Sequence, residues 1–371
     1  MNQHAEYVSP GHPDRLADAI AESIVTAAVR QKEDALVGVE VAVHADCVFV
    51  DGRIAGAPDE IDVRNIVRDV YLAAGYGDRW GPDPRTIRVT TELCRETLLR
   101  EESDIRPFSD DQNIVIGYAW GDRRSNYLPL AHWLSGELGR RLFARLRSDS
   151  DLSEIFGPDF KILASLQGVP APRIAWGRLI LSIQHRPKLP SERQHRILLP
   201  ILEEILWDLE YTTFPGVAST FAPEKLILNG AGEFAVGGPA GDNGLSGKKL
   251  VIDHYGPGIS IGGGALCGKD PHKVDKCGPL RARQLAKNLA RSGASQAYVA
   301  LAWAPGYETP FLIEASTIQE GVSLKIPREE LPPDEWFRIV TIIRELELAE
   351  RDWAADILNG YFCQFAVPWE R

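Results

Sequence analysis

Residues 262–276 read GGGALCGKDPHKVDK, a run that combines glycines with closely spaced lysines. The spacing from Gly263 to Lys269 is that of a G-x-x-x-x-G-K phosphate-binding loop, in which a Ser or Thr follows the lysine to hold magnesium. Here Asp270 follows instead, and two more lysines come after it. The stretch therefore predicts a site for a small polyanion, with more charge than one such loop normally uses.

A second glycine-rich run lies just upstream, at residues 230–244. Its glycines let the backbone approach a ligand closely, and Asp242 stands among them, with Lys248 and Lys249 following. The intervening KLVIDHY (249–255) predicts a strand. We expect the two loops to converge at one end of a sheet and to hold a triphosphate together. Two independent surface turns are the alternative.

The composition limits the remaining possibilities. With 371 residues, of which 44% are hydrophobic and 25% charged, the chain is typical of a soluble protein of two or three domains. A formal charge of -11 provides no overall positive field for nucleic acid. No apolar run reaches the roughly 20 residues that span a bilayer, and five cysteines without a C-x-x-C pair predict reduced thiols. We therefore expect a cytoplasmic protein that binds neither membranes nor nucleic acid.

The hydrophobic periodicity alternates between helices and strands in three rounds. Apolar residues recur at helical spacing in 14–31, 62–75, 193–210, 281–293 and 335–349. Strand-like runs cover 36–52, 85–93, 161–168, 177–185 and 296–304. The pattern predicts an α+β protein of three similar domains, each a β-sheet covered on one side by helices. Turn-rich stretches set the expected domains at 1–105, 106–235 and 236–371.

The N-terminal SPGHPDR (9–15) places His12 in a turn stiffened by prolines and a glycine, with Asp14 at the start of a helix. Asp14 can serve as an N-cap or as a first-turn acid. Lone histidines are more often structural than catalytic, but a turn that holds His12 at low entropic cost also suits catalysis. From these residues alone both interpretations stay open.

Five motifs of the chain resemble those of one family, the S-adenosylmethionine synthetases (methionine adenosyltransferases) of the bacterial and eukaryotic type. They are GHPDR (11–15), DQNIVIGYA (111–119), PDFK (158–161), GGPAGDNGLSGKKLVIDHYG (237–256) and GGGALCGKDPHKVDK (262–276). They occur in the family's order over most of the chain, and the glycine-rich pair is long and specific. The chain is identified as a divergent member of this family.

The resemblance implies an α+β chain of three domains in a pseudo-threefold arrangement. It also implies a homodimer, or a tetramer of two dimers, with active sites at the dimer interface. In the family's reaction the sulfur of methionine attacks C5′ of ATP and expels the triphosphate, which is hydrolysed to pyrophosphate and phosphate. The glycine-lysine loop would then stabilise a departing triphosphate rather than position a γ-phosphoryl group. The implied cofactors are two Mg²⁺ per site and K⁺.

The resemblance also implies a role for individual residues. Four would assist the departure of the leaving group: His12, Lys161, Lys269 and Lys273. Seven would contact ATP and its triphosphate: Asp111, Asp159, Phe234, Asp242, Lys248, Lys249 and Ala265. Three would ligate metals, magnesium for the first two and potassium for the third: Asp14, Asp275 and Glu40.

The chain departs from the family in the second-substrate pocket. Arg53 aligns with the glutamate that binds the substrate ammonium, and Glu96 with a glutamine that helps to hold methionine. The gate segment, here 96–110, is shorter than usual. Arg15 and Lys248 each replace one basic residue by another.

Three functions stay open. The first is a methionine adenosyltransferase with a rebuilt amino-acid pocket. The second is a relative that cleaves ATP at C5′ with water or another nucleophile. The third is a non-catalytic nucleotide-binding subunit, which has no need of the complete leaving-group apparatus that this sequence retains.

Overall fold

The structure is a computed structural model that describes residues 2–169, 174–214 and 225–371. Its strands are β1 (Gln3–Val8), β2 (Leu36–His44), β3 (Cys47–Ala55), β4 (Arg88–Glu96), β5 (Asn113–Trp120), β6 (Phe156–Gln167), β7 (Ala175–His185), β8 (Leu226–Leu228), β9 (Gly244–Leu245), β10 (Gln296–Trp303), β11 (Leu312–Gln319) and β12 (Val322–Lys325). Its α-helices are α1 (Pro13–Gln31), α2 (Val63–Ala74), α3 (Arg100–Ile105), α4 (Leu130–Ser148), α5 (Ser150–Ile155), α6 (Ser191–Asp208), α7 (Leu250–Asp253), α8 (Val274–Arg291), α9 (Ile339–Glu345) and α10 (Trp353–Asn359). No helix within the described ranges combines the length and the apolar content that crossing a bilayer requires.

The strands form three sheets of four strands each, which confirms the predicted α+β class. The strand orders are β4-β3-β2-β9, β1-β6-β7-β8 and β12-β11-β10-β5. Each sheet takes one strand from another part of the chain, because β9 pairs with β2, β1 with β6, and β5 with β10. The sheets are therefore interlocked by exchanged strands. The boundaries of the three predicted domains stay predictions.

One long helix packs on each sheet and separates a buried face from an open one. Helix α1 packs on β2, α4 on β1 and β6, and α8 on β5 and β10. In β2 the valines Val37, Val39 and Val41 alternate toward α1 and are buried, whereas Glu40 is exposed on the other face. Burial of such apolar surface contributes about 25 cal/mol per Å². Polar side chains of the strands are thus left on the face opposite the helices.

The stretch 249–255 is not a strand, so that prediction is wrong. It begins with the single helical turn α7, in which the His254 N–H donates to the Leu250 carbonyl at 3.1 Å. Asp253 is drawn toward α1, because Arg15 Nη2 lies 2.7 Å from its Oδ1. A long-range ion pair therefore overrides the local apolar alternation that indicated a strand.

Two other expectations can be compared directly with the structure. The helix predicted at 335–349 is reduced to α9, which ends at Glu345, and Glu347 then adopts a left-handed φ of 54°. All five cysteines are free, as the sequence predicts.

The C-terminal turn is fixed to α8 by a buried group of charges. Arg283 Nε lies 2.8 Å from Glu370 Oε1, and Lys287 Nζ lies 2.8 Å from Oε2. The Asn126 amide donates to the same carboxylate at 3.0 Å, and all these side chains are buried. Because removal of one partner leaves a buried charge uncompensated, such a group is sensitive to mutation. It holds the helix whose first turn carries Asp275.

We predict that Glu370→Gln lowers the free energy of unfolding by about 3–5 kcal/mol, because two buried cations lose their counter-charge. Urea denaturation measures the change. Glu314→Gln is the control, since Glu314 is paired with Lys325 at 3.0 Å on the surface, where a pair contributes less than about 1 kcal/mol. Equal losses in the two variants would contradict the assignment.

Candidate active site

The first group of charged residues surrounds the carboxylate of Asp14, in the first turn of α1. The Leu245 N–H donates to Oδ1 at 3.0 Å, and the Lys249 ammonium donates to Oδ2. Lys248 Nζ lies 3.7 Å from Oδ1. Burial by itself raises the pKa of Asp14, but Lys249 and the Leu245 N–H outweigh it and lower the pKa. The carboxylate is therefore ionised and holds two lysines at one point.

His12 is the N-cap of α1, so Asp14 is a first-turn acid and not the cap. The Asp14 N–H donates to His12 Nδ1 at 3.2 Å. Burial, followed by the Lys249 charge, lowers the pKa of His12 to about 3. The imidazole is thus neutral at pH 7, and because Nδ1 accepts a hydrogen bond its proton is assigned to Nε2. His12 can donate one hydrogen bond from that atom.

Two residues of β6 adjoin this group. Asp159 Oδ2 accepts the Gly238 N–H at 2.7 Å. Burial raises the pKa of Asp159 to about 7, the Gly238 N–H and Lys161 oppose the shift, and the Asp242 carboxylate adds to it. Lys161 also lowers the pKa of His12. The charges of the predicted site residues near Lys248 and Lys249 therefore influence one another. Besides these two lysines, the residues are His12, Asp14, Asp159, Lys161 and Asp242.

The second group lies where α8 begins. The Lys269 ammonium donates to Asp275 Oδ2, and the Asn113 amide donates to Oδ1 of the same carboxylate. Lys273 Nζ lies 2.6 Å from Asp110 Oδ2. Each lysine of this group is thus held by a carboxylate, as Lys249 is in the first group.

Strand β2 positions both loops. Along the edge of β2 opposite β3, the Val39 N–H donates to the Gly268 carbonyl at 2.8 Å. Further along the same edge, the Ser246 N–H donates to the Val41 carbonyl at 2.9 Å, and Ser246 Oγ donates to Glu40 Oε2 at 2.8 Å. The two loops therefore converge on one strand, although the segment between them is not the strand that the sequence predicted.

The loops also touch each other directly. A Cβ atom on Gly247 would lie 3.0 Å from Cβ of Ala265. The residue before it, Gly264, lies close to the second group, because a Cβ there would lie 2.7 Å from the Asp275 carboxylate. Among the residues that the structure describes, no lysine of one group forms a hydrogen bond or ion pair with a carboxylate of the other.

Two further predicted residues occupy different surroundings. Phe234 is fixed through its backbone, since its N–H donates to His185 Nε2 at 3.1 Å and its carbonyl accepts the His185 N–H at 3.0 Å. Asp111 is exposed, and its Oδ1 accepts the Gln112 N–H at 2.7 Å. The carboxylate that meets a lysine is that of Asp110. Asp111 is therefore not brought to a cation.

Arg53 lies between two carboxylates. Its Nε and Nη2 lie 2.9 and 2.8 Å from Glu96 Oε2, and its Nη1 lies 2.6 Å from Glu102 Oε1. Glu102 Oε2 accepts the Leu99 N–H at 2.9 Å. One guanidinium with two carboxylates carries a net charge of about -1 at pH 7. This acidic cluster (Arg53, Glu96, Glu102) fixes α3, within 96–110, to β3.

The acidic cluster adjoins the second group of lysines. Arg53 is paired with Gly38 in the β2–β3 ladder. Gly38 also forms a backbone bridge with Lys269, and a Cβ on Gly38 would lie 3.9 Å from Cε of Lys273. Arg53 and Glu96, predicted together from the resemblance, are thus in contact with each other and next to the loop lysines.

Sequence reasoning missed three residues of these clusters. Asn113 stands inside the DQN motif and could have been found there. Asp110 and Glu102 had no such signal, because each is one acid in a polar stretch. Only the fold, which places 96–110 beside β3 and α8, brings them to Arg53 and Lys273.

The carboxylates fit magnesium only in part. Within the described ranges there is no group of three or more His, Cys, Asp or Glu side chains that could hold a metal ion. Asp14 and Asp275 each bind a lysine ammonium, so a cation is stabilised at both. Mg²⁺ commonly takes one or two carboxylates together with water and substrate phosphates. The donors therefore fit magnesium held jointly with phosphate, whereas the Glu40 carboxylate accepts a hydrogen bond from Ser246 Oγ.

Comparison with known proteins identifies matching family models and relatives of the chain. The family model described as the S-adenosylmethionine synthetase N-terminal domain matches residues 2–97, and the one for the C-terminal domain matches residues 236–371. The S-adenosylmethionine synthases of Thermus thermophilus and Deinococcus deserti are each 30% identical, covering 99% of this chain and 94% and 95% of their own.

A solved structure shows the same fold. An unusual S-adenosylmethionine synthetase from Campylobacter jejuni superposes with a TM-score of 0.84 at 24% identity, covering 100% of this chain and 96% of that one. The fold, the matched family models and the relatives that span nearly the whole chain agree with the motifs. The chain belongs to the S-adenosylmethionine synthetase family of enzymes.

Proposed function

We propose that the protein is a methionine adenosyltransferase, which forms S-adenosylmethionine, pyrophosphate and phosphate from ATP, methionine and water. A lone pair of the methionine sulfur forms the bond to C5′, and the C5′–O bond breaks with its electrons going to the triphosphate. Water then hydrolyses the triphosphate. The observation that carries the proposal is the convergence of four lysines, in two groups, on loops held by one strand.

The lysines and His12 are suited to a leaving group that gains negative charge. As the C5′–O bond lengthens, charge grows on the bridging oxygen, and preorganised donors near it lower the barrier. His12 would donate from Nε2 to this oxygen without first having to gain a proton, because its imidazole is neutral. Lys249, Lys269 and Lys273 would bind the phosphate oxygens, with Lys161 and Lys248 at the edge.

The remaining predicted residues have supporting roles. Asp14 and Asp275 would hold two magnesium ions, which when bound neutralise charge on the phosphates. Asp159 fixes Gly238, and with Asp242 and Asp111 it would orient substrate groups. Phe234 would stack on adenine, beside Ala265. Glu40 is proposed as the potassium ligand by resemblance to the family.

The acidic cluster favours methionine as the second substrate. The positive charge of an unpaired arginine would repel an ammonium group. The Arg53 guanidinium, however, is paired with two carboxylates, those of Glu96 and Glu102. Glu96 Oε1 accepts no hydrogen bond from the described residues, and more than half of this side chain is exposed. The net negative charge can therefore bind an α-ammonium group. In this proposal the carboxylate missing at position 53 is supplied from β4 and α3.

We further propose that the protein forms a homodimer, and that two such dimers can associate into a tetramer. The open sheet faces carry exposed apolar side chains, among them Phe49 on β3, Leu245 on β9 and Ile114 on β5. Such surface favours a protein partner. Two chains paired through these faces would bring the first group of one copy toward the second group of the other.

The products of the reaction test this function. We expect incubation with ATP, Mg²⁺, K⁺ and methionine to give S-adenosylmethionine, identified by mass spectrometry, and no nucleoside product when methionine is left out. Adenosine formed without methionine would instead support an ATP-cleaving relative that uses water. Nucleotide binding with no product in either reaction would support a non-catalytic subunit.

Lys269 should act mainly on the chemical step. We predict that Lys269→Ala lowers kcat by roughly 10²–10³-fold, while KM for ATP changes less, because the contact strengthens as charge develops. Steady-state kinetics measure both constants. Lys325→Ala, which removes an exposed lysine paired with Glu314, is the control. A kcat equal to that of the control would give Lys269 a structural role only.

Glu96 should act on the second substrate. Glu96→Gln leaves Arg53 paired with Glu102 and makes the acidic cluster neutral. We expect KM for methionine to rise roughly ten-fold, about 1.4 kcal/mol, with KM for ATP unchanged. Glu92→Gln, an exposed residue of the same strand, is the matched control. An unchanged KM for methionine would place the ammonium elsewhere.

A further inference from the structure

The face of α1 that carries Asp14 continues with a second carboxylate one turn later. Asp18 Oδ1 accepts the Gly247 N–H at 2.8 Å, as Asp14 Oδ1 accepts the Leu245 N–H at 3.0 Å. Residues four apart lie on one face of a helix. The two carboxylates therefore bind alternate backbone N–H groups of the segment that leads into Lys248.

A buried arginine extends this attachment past the lysines. Arg15 Nη2 lies 2.7 Å from Asp253 Oδ1, and its Nη1 lies 3.2 Å from Asp18 Oδ2. Arg15, Asp18 and Asp253 are 4%, 0% and 6% exposed. Asp253 is the last residue of α7, which begins directly after Lys249. The lysine pair is thus bounded on both sides by residues attached to α1.

The segment cannot move away from α1 without breaking close contacts. A Cβ on Gly244 would lie 2.2 Å from the Pro13 backbone, so only glycine permits this approach. The Cys267 thiol, from the glycine-lysine loop, lies 3.5 Å from the Asp18 carbonyl. Three buried charged groups are weak as a source of stability, since apolar residues of similar volume often stabilise as well. Their geometry is explained better by positioning.

We propose that Asp18, paired with Arg15, which also binds Asp253, is a positioning residue that sets Lys248 and Lys249 for binding of the triphosphate. Asp18 does not touch the substrate; it acts through the Gly247 backbone and the ends of the segment 244–253. The inference rests on the proposed function in one respect, namely that the bound anion is a triphosphate chain.

The test measures binding of inorganic tripolyphosphate with Mg²⁺ to the full-length protein by titration calorimetry. Asp18→Leu removes the acceptor for the Gly247 N–H and should weaken binding roughly ten-fold or more. Asp18→Asn keeps an acceptor oxygen at the same place and should change the affinity less than about three-fold. A melting curve of each variant checks that the fold is retained.

Asp356→Leu is the matched control, because Asp356 is also buried and paired with an arginine, Arg351, but makes no described hydrogen bond or ion pair with 244–253. Its affinity should equal that of the unchanged protein. If Asp18→Leu does not fold, Asp18→Ala replaces it, since it also removes the acceptor for the Gly247 N–H and should weaken binding to a similar extent.

The outcomes separate this inference from the proposed function. Equal affinities for Asp18→Leu, Asp18→Asn and the unchanged protein, or equal losses in the two variants, would overturn the positioning role. A protein that binds tripolyphosphate in the predicted order but forms no S-adenosylmethionine would support the positioning role and overturn the function.

Discussion

The Asp14 carboxylate is the point at which fold and site depend on each other. It accepts a backbone N–H from Leu245 and the ammonium of Lys249, residues that are more than 230 positions away in the chain. Because the carboxylate is buried, these bonds are less screened than they would be in water. The start of α1, β9 and Lys249 therefore all meet at this side chain.

Three lysines of the proposed site are each paired with an aspartate carboxylate. In the described structure Lys249, Lys269 and Lys273 are each paired with a carboxylate, of Asp14, Asp275 and Asp110. A bound triphosphate would compete for these ammonium groups, and the released carboxylates of Asp14 and Asp275 would then be available to magnesium. In the proposed function, these pairs would keep the three ammonium groups close to their binding positions before the anion arrives.

Much of this arrangement could be predicted from the sequence. The helix of α1 and the valines of β2 follow from periodicity, and the glycine-lysine loops identified the family that the full-length comparisons confirm. The strand predicted at 249–255 was wrong because Arg15 binds Asp253 across the fold, which no local pattern indicates. Likewise Glu102 and Asp110 could not be predicted, because only the fold places α3 and the following turn beside β3 and α8. The exchange of strands between sheets could not be read from contiguous periodic segments either.

The central claim is that one triphosphate is bound by both groups of lysines, the Asp14 group and the Asp275 group. A crystal structure with Mg²⁺ and a β,γ-imido analogue of ATP tests it most directly. The account predicts phosphate oxygens within hydrogen-bond distance of Lys249 and of Lys269, contributed by the same chain or by two paired chains. A nucleotide whose phosphates contact only one of the two groups, or neither, would contradict it.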